Sequence, residues 1–456
     1  MERLLADVEF PRVVRARQKF PVRAAVDVEE DIARELSRPE IVSRLGDARS
    51  VAVAIGSRGV AGIDRIARAV VKHLHGLGRE PFIVPAMGSH GGATAEGQVD
   101  VLAHLGVTEA TVGAPVRSSM EVVQLGTSAS GIPVYMDKLA HAADATVVVN
   151  RTKPHTGFRG PIESGLMKIL SIGLGKHKGA AAIHAEGMGT FESLIPEIGN
   201  YVLDHGNIAY GVAVVESARE EPIRLVAIEA DRIEQVEKDL LVEARGLMAR
   251  ILLPRLDVLV VQEMGKNISG DGMDPNVTGR YTGDLPTTGP DIQKIVVLDL
   301  TEETYGNAIG VGQADVATRR LVDRIDHFAM YVNAMTARVL SPVKVPLTVD
   351  TDRDAIAVAL TSCWGVEPGR QRMMIIQSTL KLEDVYISES AMADVQDIAE
   401  VEALGEPFDL SFDRHGSIQL PSGLAETSDN GATRATSAAA SSESVESGVL
   451  LPGGQD

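Results

Sequence analysis

Three of the chain's eleven histidines, His155, His177 and His184, fall in one stretch, residues 153–186. That stretch also carries Lys153, Arg159, Lys168, Lys176 and Lys178, a basic island in a chain of formal net charge -19. Gly157, Gly160, Gly165, Gly173, Gly175 and Gly179 are interleaved with them. Imidazole exchanges protons near neutral pH and, when neutral, ligates metals. Basic side chains neutralise phosphate or carboxylate, and glycine lets a backbone approach what they hold. The pattern predicts a site for a phosphorylated cofactor or an anionic substrate. Lys168 stands in Gly-Leu-Met-Lys-Ile-Leu. An amine in so apolar a setting is more reactive than a solvated one, because burial lowers its pKa. His177, between two lysines, reads as an exposed loop residue.

Loops of this kind need strands to hold them. Residues 51–55 read as a buried strand that runs into Gly56-Ser57-Arg58-Gly59, followed by helical periodicity over residues 63–77. A second strand, residues 81–84, runs into Gly88-Ser89-His90-Gly91-Gly92, and Thr94 is suited to cap the next helix. Residues 145–149 and 210–216 are further strands, the former leading to Lys153-Pro154-His155. Strand, polar Gly-rich loop and helix in repetition is the pattern of an α/β fold, in which loops at the strand C-ends carry the site. We expect two α/β domains with an active-site cleft between them. The first, residues 1–252, has a mostly parallel sheet and binds the cofactor; the second, residues 253–423, is smaller and mixed. A helix is expected over residues 231–250, strands over 256–262 and 294–300, and helices over 315–324 and 354–362. Residues 424–456, rich in Ser, Ala and Gly, bury too little apolar surface to order themselves and are expected to be a disordered tail.

Composition narrows the function. Aromatic residues make up 4% of the chain and the pI is about 5.1, which argues against a nucleic-acid surface. One cysteine, Cys363, excludes an intrachain disulfide, a zinc finger and a Cys-ligated iron–sulfur cluster, and suits a reducing cytoplasm. No stretch approaches the ~18 apolar residues of a membrane span. Gly173-Leu174-Gly175-Lys176-His177-Lys178-Gly179 has GxGxxxG spacing without a clear strand before it, which is not a dinucleotide fingerprint. The GxxxxGK[ST], HExxH and GxSxG motifs are missing.

Met87-Gly88-Ser89-His90-Gly91-Gly92-Ala93-Thr94 resembles the histidine loop of the lactate racemase family. So does the run from Lys153-Pro154-His155 through Gly165-Leu166-Met167-Lys168 to His184. The resemblance implies a 2-hydroxyacid racemase or epimerase, an isomerase that works by hydride abstraction and return. It implies a nickel-pincer nucleotide, nickel pyridinium-3-thioamide-5-thiocarboxylate mononucleotide, joined covalently to Lys168. By the same resemblance His184 is the nickel ligand and His90 and His155 are the acid/base pair. Arg58 meets the cofactor phosphate, and Ser57 and Arg159 also lie with the cofactor. Ile55 stands where the family has an acidic residue, and the segment between His155 and Lys168 is longer than usual, so the chain reads as a divergent branch. A small-molecule 2-hydroxy acid is the implied substrate and the cofactor-synthesis enzymes are implied partners; nucleic acid and membrane are not.

In the second domain, the polar loop of residues 265–280 follows a strand and reads as a lid, with Lys266 or Arg280 on a substrate carboxylate. Two other readings stand beside the racemase. A non-catalytic nickel- or cofactor-binding homologue would need only Lys168 and His184. A nicotinamide-type oxidoreductase would need a dinucleotide fingerprint that the chain lacks.

Overall fold

The computed structural model describes residues 2–57, 59–282 and 289–421. Arg58 and the expected tail, residues 424–456, lie outside the described residues. The chain alternates strands with helices around two sheets. Its first strand, β1 (Val13–Gln18), is followed by β2 (Ser50–Ile55), β3 (Glu80–Pro85), the hairpin β4 (Val122–Thr127) and β5 (Pro133–Asp137), then β6 (Ala145–Arg151), β7 (Ile208–Glu216) and β8 (Pro222–Glu229).

The five-stranded sheet has the order β3-β2-β6-β7-β8. Its first four strands are parallel, and β8 turns back antiparallel to β7. Both faces are covered, as a parallel sheet requires. In β2 the alternation is visible: Val51, Val53 and Ile55 pack into one cluster, while the smaller Ala52 and Ala54 pack into the other. The small face is the one on which residues 166–184 lie, with Leu166, Met167, Leu170 and Ile183 buried there. The chain passes from β2 outward to β3 and later returns to β6 on the other side of β2. The C-terminal ends of β2 and β6 therefore form a topological switch point, where open α/β sheets bind ligands.

The second sheet is built from β9 (Arg255–Met264), β10 (Asp291–Leu300), β11 (Val316–Thr318), β12 (Leu347–Val349), β13 (Met373–Ile376), β14 (Asp384–Ser388) and β15 (Val401–Ala403), joined by β1. Its order is β12-β11-β10-β9-β13-β14-β1-β15, parallel from β12 to β13 and antiparallel beyond. The fold is thus α/β with mostly parallel strands, but the wider sheet is the second. It also borrows its penultimate strand from the start of the chain, so the two sheets do not divide at residue 252.

Two expected helices differ. The first half of residues 315–324 is strand β11, since Val316 and Ala317 continue the apolar sheet beside β10, and the helix is confined to Arg319–Asp323. The helix expected over 231–250 is confined to Ile233–Leu247, after a 3-10 turn. Residues 354–362 are helical as read, within Asp352–Thr361.

Because β1 pairs with both β14 and β15 and buries Val13, Val14 and Ala16, removing residues 1–18 should damage the sheet formed by the C-terminal half. Each buried aliphatic side chain is worth about 1.5–3 kcal/mol. A chain starting at residue 19 should melt roughly 5 °C or more below the full chain, read by thermal unfolding. An unchanged Tm would show that β1 is dispensable.

Candidate functional site

Three loops leave the same edge of the five-stranded sheet: Gly56-Ser57 after β2, residues 86–90 after β3, and residues 152–155 after β6. β3 and β6 flank β2, so the loops bearing His90 and His155 rise on either side of its end, roughly 10 Å apart across two strand spacings. The helix after the His90 loop, Ala95–His104, is capped by Thr94, whose Oγ1 accepts from Gly97 N at 3.0 Å.

Against these strand ends lies the segment of residues 165–184, a turn Leu166–Lys168, a π-helical stretch Ile169–Gly173 and a helix Lys176–His184. The approach is so close that glycines are required. A Cβ on Gly173 would stand 2.5 Å from Ala86 O, and one on Gly165 would stand 1.6 Å from Glu237 Oε1. Asn150, at the end of β6, donates from Nδ2 to Gly165 O at 2.9 Å. Gly88 N donates to Gly173 O at 3.1 Å, which ties the His90 loop to the segment.

Buried Glu237 starts the turn. Its carboxyl accepts from the backbone N–H of Leu166, from Met167 N at 2.8 Å and from Thr152 Oγ1 at 3.3 Å. It satisfies donors that a helix start leaves bare, two positions and one position before Lys168. Burial pushes its pKa up to about 7, against those donors, which pull it down.

The hydrogen bonds assign each histidine a tautomer. His184 Nδ1 lies 2.7 Å from Ala180 O. A carbonyl only accepts, so Nδ1 carries the proton and the lone pair is on Nε2, the arrangement of a metal-ligating imidazole. Burial, and then the nearby Lys168 and Arg338 charges, lower the His184 pKa and keep the ring neutral, although its bond to Ala180 O opposes them. His155 is the reverse case: Gly157 N donates to its Nδ1 at 2.9 Å, so the neutral ring holds its proton on Nε2. The Nδ1 of His90 is bonded by the Ser57 hydroxyl, which can donate or accept. A train of rings joins two of these sites, with centroids 4.4 Å apart from His155 to Phe158, 5.5 Å from Phe158 to Phe191 and 5.1 Å from Phe191 to His184.

His155 stands in an Ω-type loop whose ends are paired, Lys153 N to Ser164 O at 2.9 Å and Ser164 N to Lys153 O at 3.2 Å. Buried Glu163 organises its interior. It accepts from His155 N at 2.5 Å and Gly160 N at 3.3 Å, and pairs with Arg159 at 3.4 Å and Arg245 at 2.5 Å. Arg159 donates to His155 O at 2.6 Å and reaches Asn276 Oδ1 and the Tyr281 hydroxyl. Asn276 Nδ2 also donates to His155 O at 3.3 Å. Arg159 therefore ties the His155 loop to the loop that follows β9.

The remaining residues singled out in the sequence fall in different places. Lys266 lies beyond the C-end of β9, with its ammonium on Asn333 in the helix His327–Ala337, which lies beside the helix of His184. Arg280 is at the other end of the sheet. It donates to the carbonyls of Gln313, Ile292 and Gln293 and pairs with Asp315 at 2.6 Å. A ten-residue strand, roughly 30 Å, separates the two ends, so the structure does not bring Lys266 and Arg280 together. The basic island is also thinner than its composition suggests. Lys176 is fully buried and held within the protein, and the Lys178 ammonium sits 4.6 Å from the Tyr135 ring centroid. His177 is exposed, as read, but lies on the helix Lys176–His184 rather than in a loop. Sequence reasoning missed Glu237, Asn276 and Gln98, and gave no role to Glu163; Glu237 and Asn276 act on partners far along the chain, while Glu163 and Gln98 act on nearby backbone groups as well as on the distant Arg245 and Lys176. Among the described residues no group of three or more His, Cys, Asp or Glu is placed to hold a metal, and no helix is long and apolar enough to cross a membrane.

Glu237 makes a pH test of the turn. Its folded pKa, about 7, lies above its ordinary value of 4.5. The stability it contributes is whole below about 4.5 and is lost as pH rises towards 7. Relative to Glu237→Gln, the wild type should lose Tm across that window and level off above it. A Tm difference independent of pH would count against a buried carboxyl at the turn.

Residues 5–192 match the family model described as the lactate racemase N-terminal domain. No curated protein matches the chain. Among solved structures, the lactate racemase apoprotein from Thermoanaerobacterium thermosaccharolyticum is 15% identical, with 80% of this chain and 94% of that one covered and a TM-score of 0.49. The matched region spans β1 through the helix of His184 and contains Ser57, His90, His155 and Lys168. Residues 5–192 of the 456 thus carry a similarity to the N-terminal domain of lactate racemases.

Proposed function

We propose that the protein is a racemase or epimerase of a 2-hydroxy acid that works with a nickel-pincer nucleotide carried on Lys168. The observation that carries this reading is the pairing of Lys168 with His184. The two lie at the ends of one segment, close enough for the lysine's charge to act on the imidazole, whose Nδ1 already serves Ala180 O. Among the described residues no group of three or more His, Cys, Asp or Glu could hold a metal, and a neutral imidazole suits a metal whose other ligands arrive with an organic group. Lys168 would hold that group covalently and His184 its nickel, with Ser57 and Arg58 towards its phosphate. The chemistry supplied by such a group when bound is acceptance and return of a hydride, which avoids a carbanion at the substrate's α-carbon.

The chain's own residues handle the proton. As hydride leaves the α-carbon, the substrate hydroxyl must lose its proton to a base near neutrality, and histidine suits this. With Ser57 accepting from Nδ1–H, His90 presents a basic Nε2. His155 holds its one proton on Nε2 while neutral; to deliver a proton to the substrate it must enter the cycle as the imidazolium, whose second proton on Nδ1 displaces the Gly157 amide. The two rings rise from opposite sides of the β2 end, as access to two faces of a planar keto acid requires. The cofactor-synthesis enzymes would be the protein's partners, and one half-buried cysteine, with its thiol pushed up to about 11 by burial, suits the cytoplasm.

Protein made with the cofactor-synthesis enzymes should carry an adduct of nucleotide mass on the Lys168 peptide and about one nickel per chain. Intact mass, peptide mapping and metal analysis check this; an unmodified Lys168 peptide would refute the reading. Lys168→Ala should lose adduct and turnover together.

His90→Ala and His155→Ala should each lose roughly 10²–10⁴-fold in turnover in both directions while keeping nickel. His184→Ala should instead lose nickel, by roughly tenfold or more in affinity. Nickel lost from His90→Ala but kept by His184→Ala would reverse the assigned roles.

A further inference from the structure

We infer that a buried lock of Asp137, Lys176 and Gln98 sets the position of His90 relative to the Lys168–His184 segment, and that Gln98 and Lys176 are positioning residues for it. All three side chains are sealed from solvent. Lys176 Nζ donates to Pro85 O and to Gln98 Oε1 at 2.8 Å, and forms an ion pair with Asp137 Oδ2 at 3.1 Å. An ammonium has no lone pair, so Gln98 must turn its oxygen to it. That leaves Gln98 Nε2 pointing the other way, onto Gly88 O at 2.9 Å and His90 O at 3.3 Å. The orientation of one amide is thus decided by a lysine, and it grips the backbone on both sides of Ser89.

The placement of Lys176 gives this its consequence. Lys176 opens the helix that ends at His184, and it does so in the left-handed region, with φ of 53°. Such a conformation is strained for a side-chain-bearing residue. No glycine is used there, although glycines surround it, so the side chain offsets the strain. One end of the helix therefore fixes the His90 loop while the other presents His184. Asp137 completes the lock from the hairpin side, where its Oδ1 also accepts from Ala140 N at 2.8 Å.

The inference rests on the reading of His90 as an acid/base group, and the test separates the two. Gln98→Glu still accepts from Lys176 but cannot donate to Gly88 O and His90 O. Lys176→Met alone would strand a buried carboxylate and lose the fold, so the partner variant is Lys176→Met combined with Asp137→Asn, which removes both charges. In either variant hydrogen exchange at Gly88, His90 and Ala93 should quicken roughly tenfold, the scale of one buried hydrogen bond, while strand β7 stays protected. The His90 ring resonances of histidine-labelled protein should shift. In cofactor-loaded enzyme kcat should fall at least tenfold, with KM and nickel content held. Wild-type exchange and His90 resonances in both variants, or equal loosening of β7, would overturn the lock. A loosened loop and shifted His90 with unchanged turnover would leave the lock standing and overturn the acid/base reading.

Discussion

No room exists for a Cβ between residues 165–184 and the strand ends they cross, and the site depends on that. A Cβ on Gly173 would meet Ala86 O, and one on Gly165 the carboxyl of Glu237 on the helix Ile233–Leu247, while one on Gly88 would press on Ile172 and Ala180 from the opposite side. Contacts this tight bury backbone polar groups, which must then be satisfied inside the protein. The Glu237 carboxyl does this at one end of the segment and the Lys176 ammonium near its middle, each a buried charge-bearing group used to saturate backbone and amide partners. Both are disfavoured as ions by desolvation, Glu237 pushed up and Lys176 pushed down. Removing such a group costs far more than its presence contributes, because its partners stay behind unpaired.

Much of this was legible in residue order. The strands at residues 51–55, 81–84 and 145–149, the Thr94 cap and the placing of His90 and His155 on loops at strand C-ends follow from apolar runs ending in polar, glycine-rich loops, whereas Lys168 and His184 are singled out by the family resemblance. Local patterns are readable when the same few residues both form an element and end it. The strand β1 could not be read in this way, because its partners lie some 370–390 residues later and its own sequence alternates Arg with Val and Ala. The misassigned helix at residues 315–324 is a related case: three residues suffice for a strand when a parallel neighbour is already in place.

Charge was the least reliable guide. Lys176 and Arg280 looked like ligand-binding cations by type and setting, yet each is spent on protein acceptors. Arg159 looked like one more, and it ties a loop after β6 to a loop after β9. Residue type states what a side chain is able to bind; only the fold states what has already bound it.

The three histidines make the same point at the level of single atoms. They are identical in sequence terms, but each Nδ1 meets a different partner: a carbonyl at His184, an amide N–H at His155 and a hydroxyl at His90. A carbonyl fixes the lone pair on the far nitrogen and leaves it able to ligate. An amide N–H fixes a proton there and produces a hydrogen-bond donor. A hydroxyl fixes neither and leaves a ring able to exchange its proton. Backbone geometry two to four residues away selects among these at His155 and His184, while at His90 a residue from a different strand end does so. Three imidazoles brought to one edge thereby acquire three chemical characters before any ligand arrives.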